Sequence, residues 1–373
     1  MIYVAGIVIT FFLSFILLTK KGKSIADRIL FVWLCVILAQ LILFSIIHSG
    51  KYLQFPYLLG LEIPLSFLHG PFLFFYAKAL TGGNISFGRV SFHFIPYTIS
   101  FLLILPFLLL ELEEKTTVYQ NDGQGYKMLS SLITCGVIIS GITYTVLSIR
   151  TLKKYKSHIK NNFSYTEKIK LEWLFRLIIG LSCIWVLVFF ADDEIIFTSV
   201  VLFVLFIGYY GIKQVGIFTN QPPLELSSVL ETPKATELLI APLENVKYEK
   251  SSLTDDHAHK IHNRLVHLMD EKKAYLIPEL TLAMVAKELG VHPNSLSQVI
   301  NTVEQKNFFD YINTLRIREF MKQAANPNNK KYTLLSLAYE CGFNSKTSFN
   351  RNFRNLTGQS PSEFLKKAKA RID

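Results

Sequence analysis

Cysteine is scarce in this 373-residue chain, and the four present (Cys35, Cys135, Cys183 and Cys341) form no C-x-x-C pair and no zinc-like spacing. No thiol redox motif or cysteine-held metal is therefore expected. The four read as small buried hydrophobes, three within apolar runs. Basic residues are missing ahead of the first apolar run, because Lys20, Lys21 and Lys23 follow it. That is the wrong order for a cleavable signal peptide, so the run is expected to stay as a span with its N-terminus outside. Charge is thin as well, at 18% of residues. The stretch up to about Phe218 is mostly long apolar runs with charged gaps, and beyond it the sequence is ordinary globular.

What is abundant is apolar length. Half of the chain is hydrophobic and the mean hydropathy is +0.32. Seven runs stand out: Ile2–Thr19, Ile29–His48, Tyr57–Leu80, Phe94–Leu112, Met128–Ile149, Leu177–Phe190 and Ile195–Ile212. About 20 apolar residues are needed for a helix to cross the hydrocarbon core. The sixth run is cut short by Asp192, Asp193 and Glu194, so it is expected to borrow length from Trp173–Arg176.

Basic residues in the gaps set the orientation. Lys20, Lys21, Lys23 and Arg28 follow the first run, Lys78 and Arg89 the third, and a cluster from Arg150 to Arg176 the fifth. The second gap holds only Lys51, the fourth Lys115 and Lys127 among acids, and the sixth no basic residue. This alternation predicts a multi-pass protein with an external N-terminus and a cytoplasmic C-terminus. The formal net charge is +11, and the C-terminal stretch Leu276–Asp373 is also net positive, which suits phosphate.

Four regions follow: a membrane domain at 1–218, a flexible linker at 219–253 rich in proline, serine and threonine, a connecting helix at 254–275, and a basic C-terminal domain at 276–373. The connecting helix opens with Thr254 as N-cap and Asp255 and Asp256 in its first turn. Its apolar stripe (Ala258, Ile261, Leu265, Leu268, Met269) needs a partner, either the C-terminal domain, a second subunit, or both. His257, His259, His262 and His267 scatter around the barrel and read as a solvated face, not a metal site.

The last region repeats one plan. Leu282, Val285, Ala286 and Leu289 make a short amphipathic helix, Gly290 turns the chain, Pro293 opens a second helix, and Leu296, Val299 and Ile300 are its buried face. Short helix, glycine turn, short helix is the helix-turn-helix signature. Asn294, Ser295, Ser297, Gln298 and Asn301 are left on the outer face, where amides can read adenine in the major groove. A longer helix, Phe308–Ala325, joins this module to a second one. There Leu334, Leu337, Ala338 and Cys341 precede Gly342, Asn344 or Ser345 caps the next helix, and Phe349 and Phe353 are buried. Lys346, Thr347, Asn350, Arg351 and Arg354 remain for DNA, so this module is the basic one.

Gly342-Phe343-Asn344-Ser345, Phe349, Arg351, Phe353-Arg354, Gly358, Ser360-Pro361 and Phe364 resemble the signature of the AraC/XylS transcription regulators, over about Leu280–Lys367. The resemblance implies two helix-turn-helix units reading successive major-groove turns, roughly 34 Å apart, on one DNA face. It also implies a dimer on DNA. A basic residue often stands in that family where this chain has Gln298, so a weaker phosphate grip is expected of the first module. The layout also resembles membrane-anchored members of the family, through His93-Phe94-Ile95-Pro96-Tyr97 and Gly70-Pro71 followed by Phe72–Tyr76.

Ionisable residues within spans are functional suspects. Glu62, Ser66 and His69 fall at i, i+4 and i+7, on one helix face flanked by Pro64 and Pro71, whose freed carbonyls can line a cavity. They are the candidate ligand-binding residues; the alternative is an interhelical hydrogen bond that holds packing. The expectation is thus an all-α chain, a seven-helix transmembrane bundle with a cytoplasmic double helix-turn-helix domain, acting without catalysis, metal or cofactor in a bacterial inner membrane. Its partners would be double-stranded DNA, the bilayer, a small-molecule or protein signal, a second copy of the chain, and RNA polymerase. Two other readings stay open. One is a passive tether under the control of a partner protein. The other is an intramembrane enzyme fused to a regulator, which His48, His69 and His93 serve poorly because they lie at unlike depths.

Overall fold

The structure is a computed structural model that describes residues 2–166, 171–213, 255–329 and 331–369. The expected linker at 219–253 and its neighbour Thr254 lie outside the described residues. Among the described residues there is no β-strand; the one β-pairing is an isolated antiparallel bridge between Phe163 and Thr281. The chain forms two compact units, Met1–Lys153 with Leu171–Val246, and Lys154–Lys170 with Lys247–Asp373.

The first unit is a helical bundle. Helix α1 is Ile2–Thr19 and α2 is Ile25–His48. Helix α2 starts earlier than its apolar run because Ser24 and Asp27 form a reciprocal capping box that satisfies orphan N–H groups. Lys20 pairs with the same Asp27 carboxylate at 2.8 Å, and both side chains are buried. The third apolar run is broken into a 3₁₀ turn at Pro56–Leu58, α3 at Glu62–Leu65, a second 3₁₀ turn at Ser66–Leu68, and α4 at His69–Leu80. Pro64 and Pro71 each lack an N–H, and each ring crowds the preceding turn, which accounts for the breaks. Short α5 (Phe87–Val90), α6 (Ile95–Leu108) and short α7 (Leu112–Gln120) follow. Helix α8 runs from Lys127 to Asn162, 36 residues, well beyond the expected apolar run. The basic gap after Ile149 is itself helical, since lysine, arginine and serine carry no strong breaker. Helices α9 (Glu172–Phe190) and α10 (Asp193–Lys213) complete the unit, with α9 taking in Trp173–Arg176 as its composition required.

Six of these stretches are long and apolar enough to cross a membrane: Ile25–His48, Pro56–Leu80, Ser91–Leu108, Lys127–Asn162, Glu172–Phe190 and Asp193–Gly211. The apolar helix at Tyr3–Thr19 is shorter. The outer surface of the unit is apolar, with Phe11 61%, Leu102 58%, Ile139 66% and Phe190 84% exposed. Apolar exposure on this scale is unfavourable in water and ordinary in lipid. Cys135 and Cys183 lie on this exposed surface and Cys35 is half-buried, so the expectation of four buried cysteines holds only for Cys341. Helices approach closely where glycine allows it. A β-carbon at Gly141 would stand 2.4 Å from the Trp185 ring, and one at Gly70 would stand 2.6 Å from Tyr144.

The second unit holds α11 (Asp255–Glu271), α12 (Leu282–Glu288), α13 (Pro293–Val303), α14 (Phe308–Ala325), α15 (Leu334–Glu340), α16 (Lys346–Thr357) and α17 (Pro361–Lys369). It has two hydrophobic cores, one per module. The stripe of α11 (Ile261, Leu265, Leu268, Met269) packs with Leu282, Val285, Leu296, Val299 and Ile300 in the first. The partner that stripe required is therefore the first helix-turn-helix module. Ile317, Phe320, Leu337, Cys341, Phe343, Phe349 and Phe353 make the second core, with Phe364 against it. Helix α14 serves both cores, Tyr311 and Ile312 facing one and Ile317 and Phe320 the other. Each module turns on a glycine at positive φ, Gly290 at 62° and Gly342 at 90°. A β-carbon at Gly342 would lie 2.8 Å from the carbonyl oxygens of both Tyr275 and Leu276, so the second turn needs glycine for space as well as for φ.

Candidate nucleic-acid interface and membrane-unit cavity

Two helices occupy the recognition positions. In α13 the His292 side chain accepts from the Asn294 N–H, Pro293 fills the first turn, and Leu296, Val299 and Ile300 are fully buried. The opposite face carries Asn294, which is exposed, and Ser295, Ser297, Gln298 and Asn301, which are half-buried. Asn301 donates to Ser297 Oγ at 3.4 Å, so those two polar groups meet on the helix surface. In α16 Ser345 is the N-cap, accepting from the Ser348 N–H at 3.0 Å, and Gly358 ends the helix at φ 74°. Lys346, Thr347, Asn350 and Arg354 are exposed on one side. Phe349 and Phe353 are buried on the other with Ser348 and Asn352, where the Asn352 amide donates back to the Ser348 carbonyl at 2.9 Å. The basic character expected of this module is carried by Lys346 and Arg354.

Arg351 is placed differently from its neighbours. It is half-buried, its guanidinium lies 5.9 Å from the Phe309 ring centre, and it donates to Thr166 Oγ1 at 3.3 Å. Thr166 belongs to the short segment that follows α8, within the second unit. Phe163, Ser164, Tyr165 and Thr166 are all buried. The Ser164 N–H donates to the Leu280 carbonyl at 3.1 Å, next to Thr281, which pairs with Phe163 and caps α12 by accepting from the Met284 N–H. The Ser164 carbonyl accepts from Asn313 Nδ2 at 3.0 Å.

Arg316 joins the same place. Its side chain is 1% exposed and donates to the carbonyls of Tyr275 at 2.7 Å and Ile277 at 2.6 Å, and to Ser164 Oγ at 3.1 Å. Burial pushes its pKa down, to about 9. Nearby Glu319 is opposed by burial, but hydrogen bonds from Gln323 and Lys273 outweigh it and hold the carboxyl below its ordinary value. The segment at 163–166 is thus a strap that touches module one at Leu280 and Thr281, helix α14 at Asn313 and Arg316, and helix α16 at Arg351.

The first unit contains a cavity of about 320 Å³. Glu62, Ser66 and His69, expected on one helix face, all line it, although α3, the 3₁₀ turn and α4 divide that stretch. Gln40, Asp193, Trp185 and Phe203 line it too. His69, Gln40 and Ser66 form a relay with Trp33, which does not line the cavity: Trp33 Nε1 donates to His69 Nδ1 at 3.1 Å, His69 Nε2 meets Gln40 Oε1, and Gln40 Nε2 donates to Ser66 Oγ at 3.0 Å. Glu62 is separate from that relay. Its Oε1 accepts from the Tyr119 hydroxyl, which itself accepts from the Gly60 N–H at 3.1 Å, and its Oε2 is buried with no hydrogen-bond partner.

Sequence reasoning did not find the strap, Asn313, or Arg316 as a buried group. Nothing in Phe163–Thr166 marks it as part of the helix-turn-helix unit, and a basic residue in an amphipathic helix reads as solvated. Among the described histidines, His262 meets Glu304 at 2.8 Å and His267 meets Glu271 at 3.0 Å, and no group of three or more His, Cys, Asp or Glu is close enough to hold a metal.

Residues 285–367 match a family model described as a helix-turn-helix domain. The match covers the two modules and supports a DNA-binding regulator of the AraC type. Comparison with curated proteins gave no match, and comparison with solved structures gave none.

Proposed function

We propose that this chain is a one-component transcription regulator embedded in a membrane, in which the apolar unit senses a signal and passes it to a cytoplasmic, sequence-specific DNA reader. Helices α13 and α16 enter successive major grooves, with Asn294, Ser295, Ser297, Gln298 and Asn301 in the first and Lys346, Thr347, Asn350 and Arg354 in the second. Arg351 contributes when it leaves Thr166. The shorter helix α1 is the seventh span, the N-terminus is outside and the C-terminus inside, following the basic residues of the gaps. The chain performs no catalysis, pairs with a second copy on DNA, and acts on RNA polymerase.

The observation that carries signal control is the strap. The segment Phe163–Thr166 that follows α8 is folded into the DNA-binding unit, on residues of both modules and on Arg351 of α16. A passive anchor needs no such contact. A shift of α8 or α9 relative to the DNA reader would pull on Ser164 and Thr166, which biases the spacing of the modules or the freedom of Arg351. The test replaces the apolar unit by a plain anchor that keeps residues 154–170 and measures transcription of a bound target under the conditions that change it in the intact chain. Constant output supports the sensor; an unaltered response means that the signal arrives from a partner protein and overturns it.

A further inference from the structure

We propose that the cavity of the apolar unit binds a small amphiphile with a primary or secondary ammonium head on an apolar or aromatic body. The proposal rests on the reading of that unit as a sensor and names the ligand chemistry. Three properties of the walls point the same way.

The first is size and polarity. About 320 Å³ has room for about ten water-sized groups, at the small end of ligand sites. Much of the wall is apolar and aromatic, including Phe44, Trp185, Phe197 and Phe203. A cavity with such walls favours an organic body over bulk water, and aromatic faces also attract cations.

The second is the state of the polar groups. The relay runs in one direction. Trp33 Nε1 can only donate, so His69 Nδ1 accepts, its Nε2 carries the proton and donates to Gln40 Oε1, and the Gln40 amide donates to Ser66. The acceptors in that chain are used. Among the described residues that line the cavity, Glu62 Oε2 is a buried acceptor with no hydrogen-bond partner. A buried carboxylate oxygen without a donor carries a desolvation penalty, which a ligand N–H removes.

The third is sign. Glu62 and Asp193 line the cavity, and among the described residues no lysine or arginine does. A cationic donor satisfies both hydrogen bonding and charge, an alcohol only the first, and a carboxylate neither. Water at Glu62 would fill the hydrogen-bonding gap without selecting a charge, so charge selectivity separates the two.

The experiment uses the full chain in lipid nanodiscs at neutral pH, with tryptophan emission read during titration by 2-phenylethylamine, 2-phenylethanol or phenylacetate, against empty nanodiscs. A saturable change is expected with the amine, at least tenfold weaker binding with the alcohol, and none with the acid. Trp185→Phe should diminish the signal. Glu62→Gln should bring the amine down to the level of the alcohol, and Asp193→Asn offers a second charge removal at an exposed position if the first variant does not fold. Equal binding of all three compounds, preference for the acid, or no saturable change with the amine would overturn the proposal. Retention of the chain on its target DNA is read in the same titration. Amine binding with unaltered DNA retention leaves the site standing and overturns signal control by this cavity. Absent amine binding, with output still dependent on the apolar unit, overturns the ligand class alone.

Discussion

Arg316→Met should release the strap from the DNA-binding unit. The native guanidinium is 1% exposed and holds the carbonyls of Tyr275 and Ile277 at 2.7 and 2.6 Å as well as Ser164 Oγ at 3.1 Å. Hydrogen bonds that involve a charged group contribute about 1.5–3 kcal/mol each, and removal of one partner also leaves buried acceptors unmatched. Methionine keeps most of the packing volume and none of the donors. Allowing for the desolvation that the native charge no longer suffers, the expected loss is about 3–5 kcal/mol, a large part of the roughly 5–15 kcal/mol that holds a domain folded. The Ser164 amide reports it directly, because it is buried and donates to the Leu280 carbonyl at 3.1 Å. At about 1.4 kcal/mol per decade, its hydrogen exchange should accelerate by roughly a hundredfold or more in the full chain in nanodiscs. Ser164→Ala removes only the hydroxyl, worth about 1 kcal/mol, so its own amide should speed up by only about fivefold. Exchange at Ser164 within threefold of the native rate in Arg316→Met, with the remainder of the unit still folded, would refute the assignment of the strap to this arginine.

Three further outcomes are expected. Removing charge at Lys346 or Arg354 should weaken DNA binding and lower the salt slope by about 1 if the residue grips phosphate, whereas Asn350→Ala should cost about 1–3 kcal/mol at one base position if it reads an adenine; competition binding at several salt concentrations distinguishes them. Gly342→Ala should cost more than the roughly 1–2 kcal/mol of left-handed backbone strain, since its new β-carbon meets two carbonyl oxygens at 2.8 Å, while Gly290→Ala, with open space around it, should cost only the strain; equal shifts in thermal unfolding would contradict this. Glu319 has a folded pKa below its ordinary 4.5, so its contribution is fully present above that value and is lost as pH falls through the folded one. Acid unfolding followed from pH 6 to pH 2 should therefore be less steep in Glu319→Gln, and an identical profile would show that the carboxylate contributes nothing.

The DNA-reading unit was legible because its signals are local. Gly290 and Gly342 mark turns, Pro293 and Ser345 mark helix starts, and the spacing of Phe349 and Phe353 gives one face. Helix α14, read as Phe308–Ala325, has those bounds in the structure. The apolar runs were legible from length, and the break in the third from Pro64 and Pro71. What sequence did not carry is tertiary. The extension of α8 to Asn162 follows from residues that are neutral to helix formation, and the burial of Ser164, Asn313 and Arg316 depends on chain segments about 150 positions apart. Glu62, Ser66 and His69 line one cavity, but Trp33 and Tyr119, which satisfy or complete them, sit on other elements and leave no periodic trace. Arg351 looked like its neighbour Arg354 in sequence; only packing against Phe309 and Thr166 separates them.

A DNA reader fixed to a membrane bundle must reach its targets from the bilayer. The most direct measurement of this is genome-wide mapping of DNA crosslinked to the full chain recovered from the membrane fraction of its native cells. Discrete enriched sites are expected, and they should disappear when Lys346 and Arg354 are both replaced by alanine while the chain remains in that fraction. Enrichment that survives the double replacement, no enriched DNA at all, or DNA recovered only with a soluble form of the chain would contradict it.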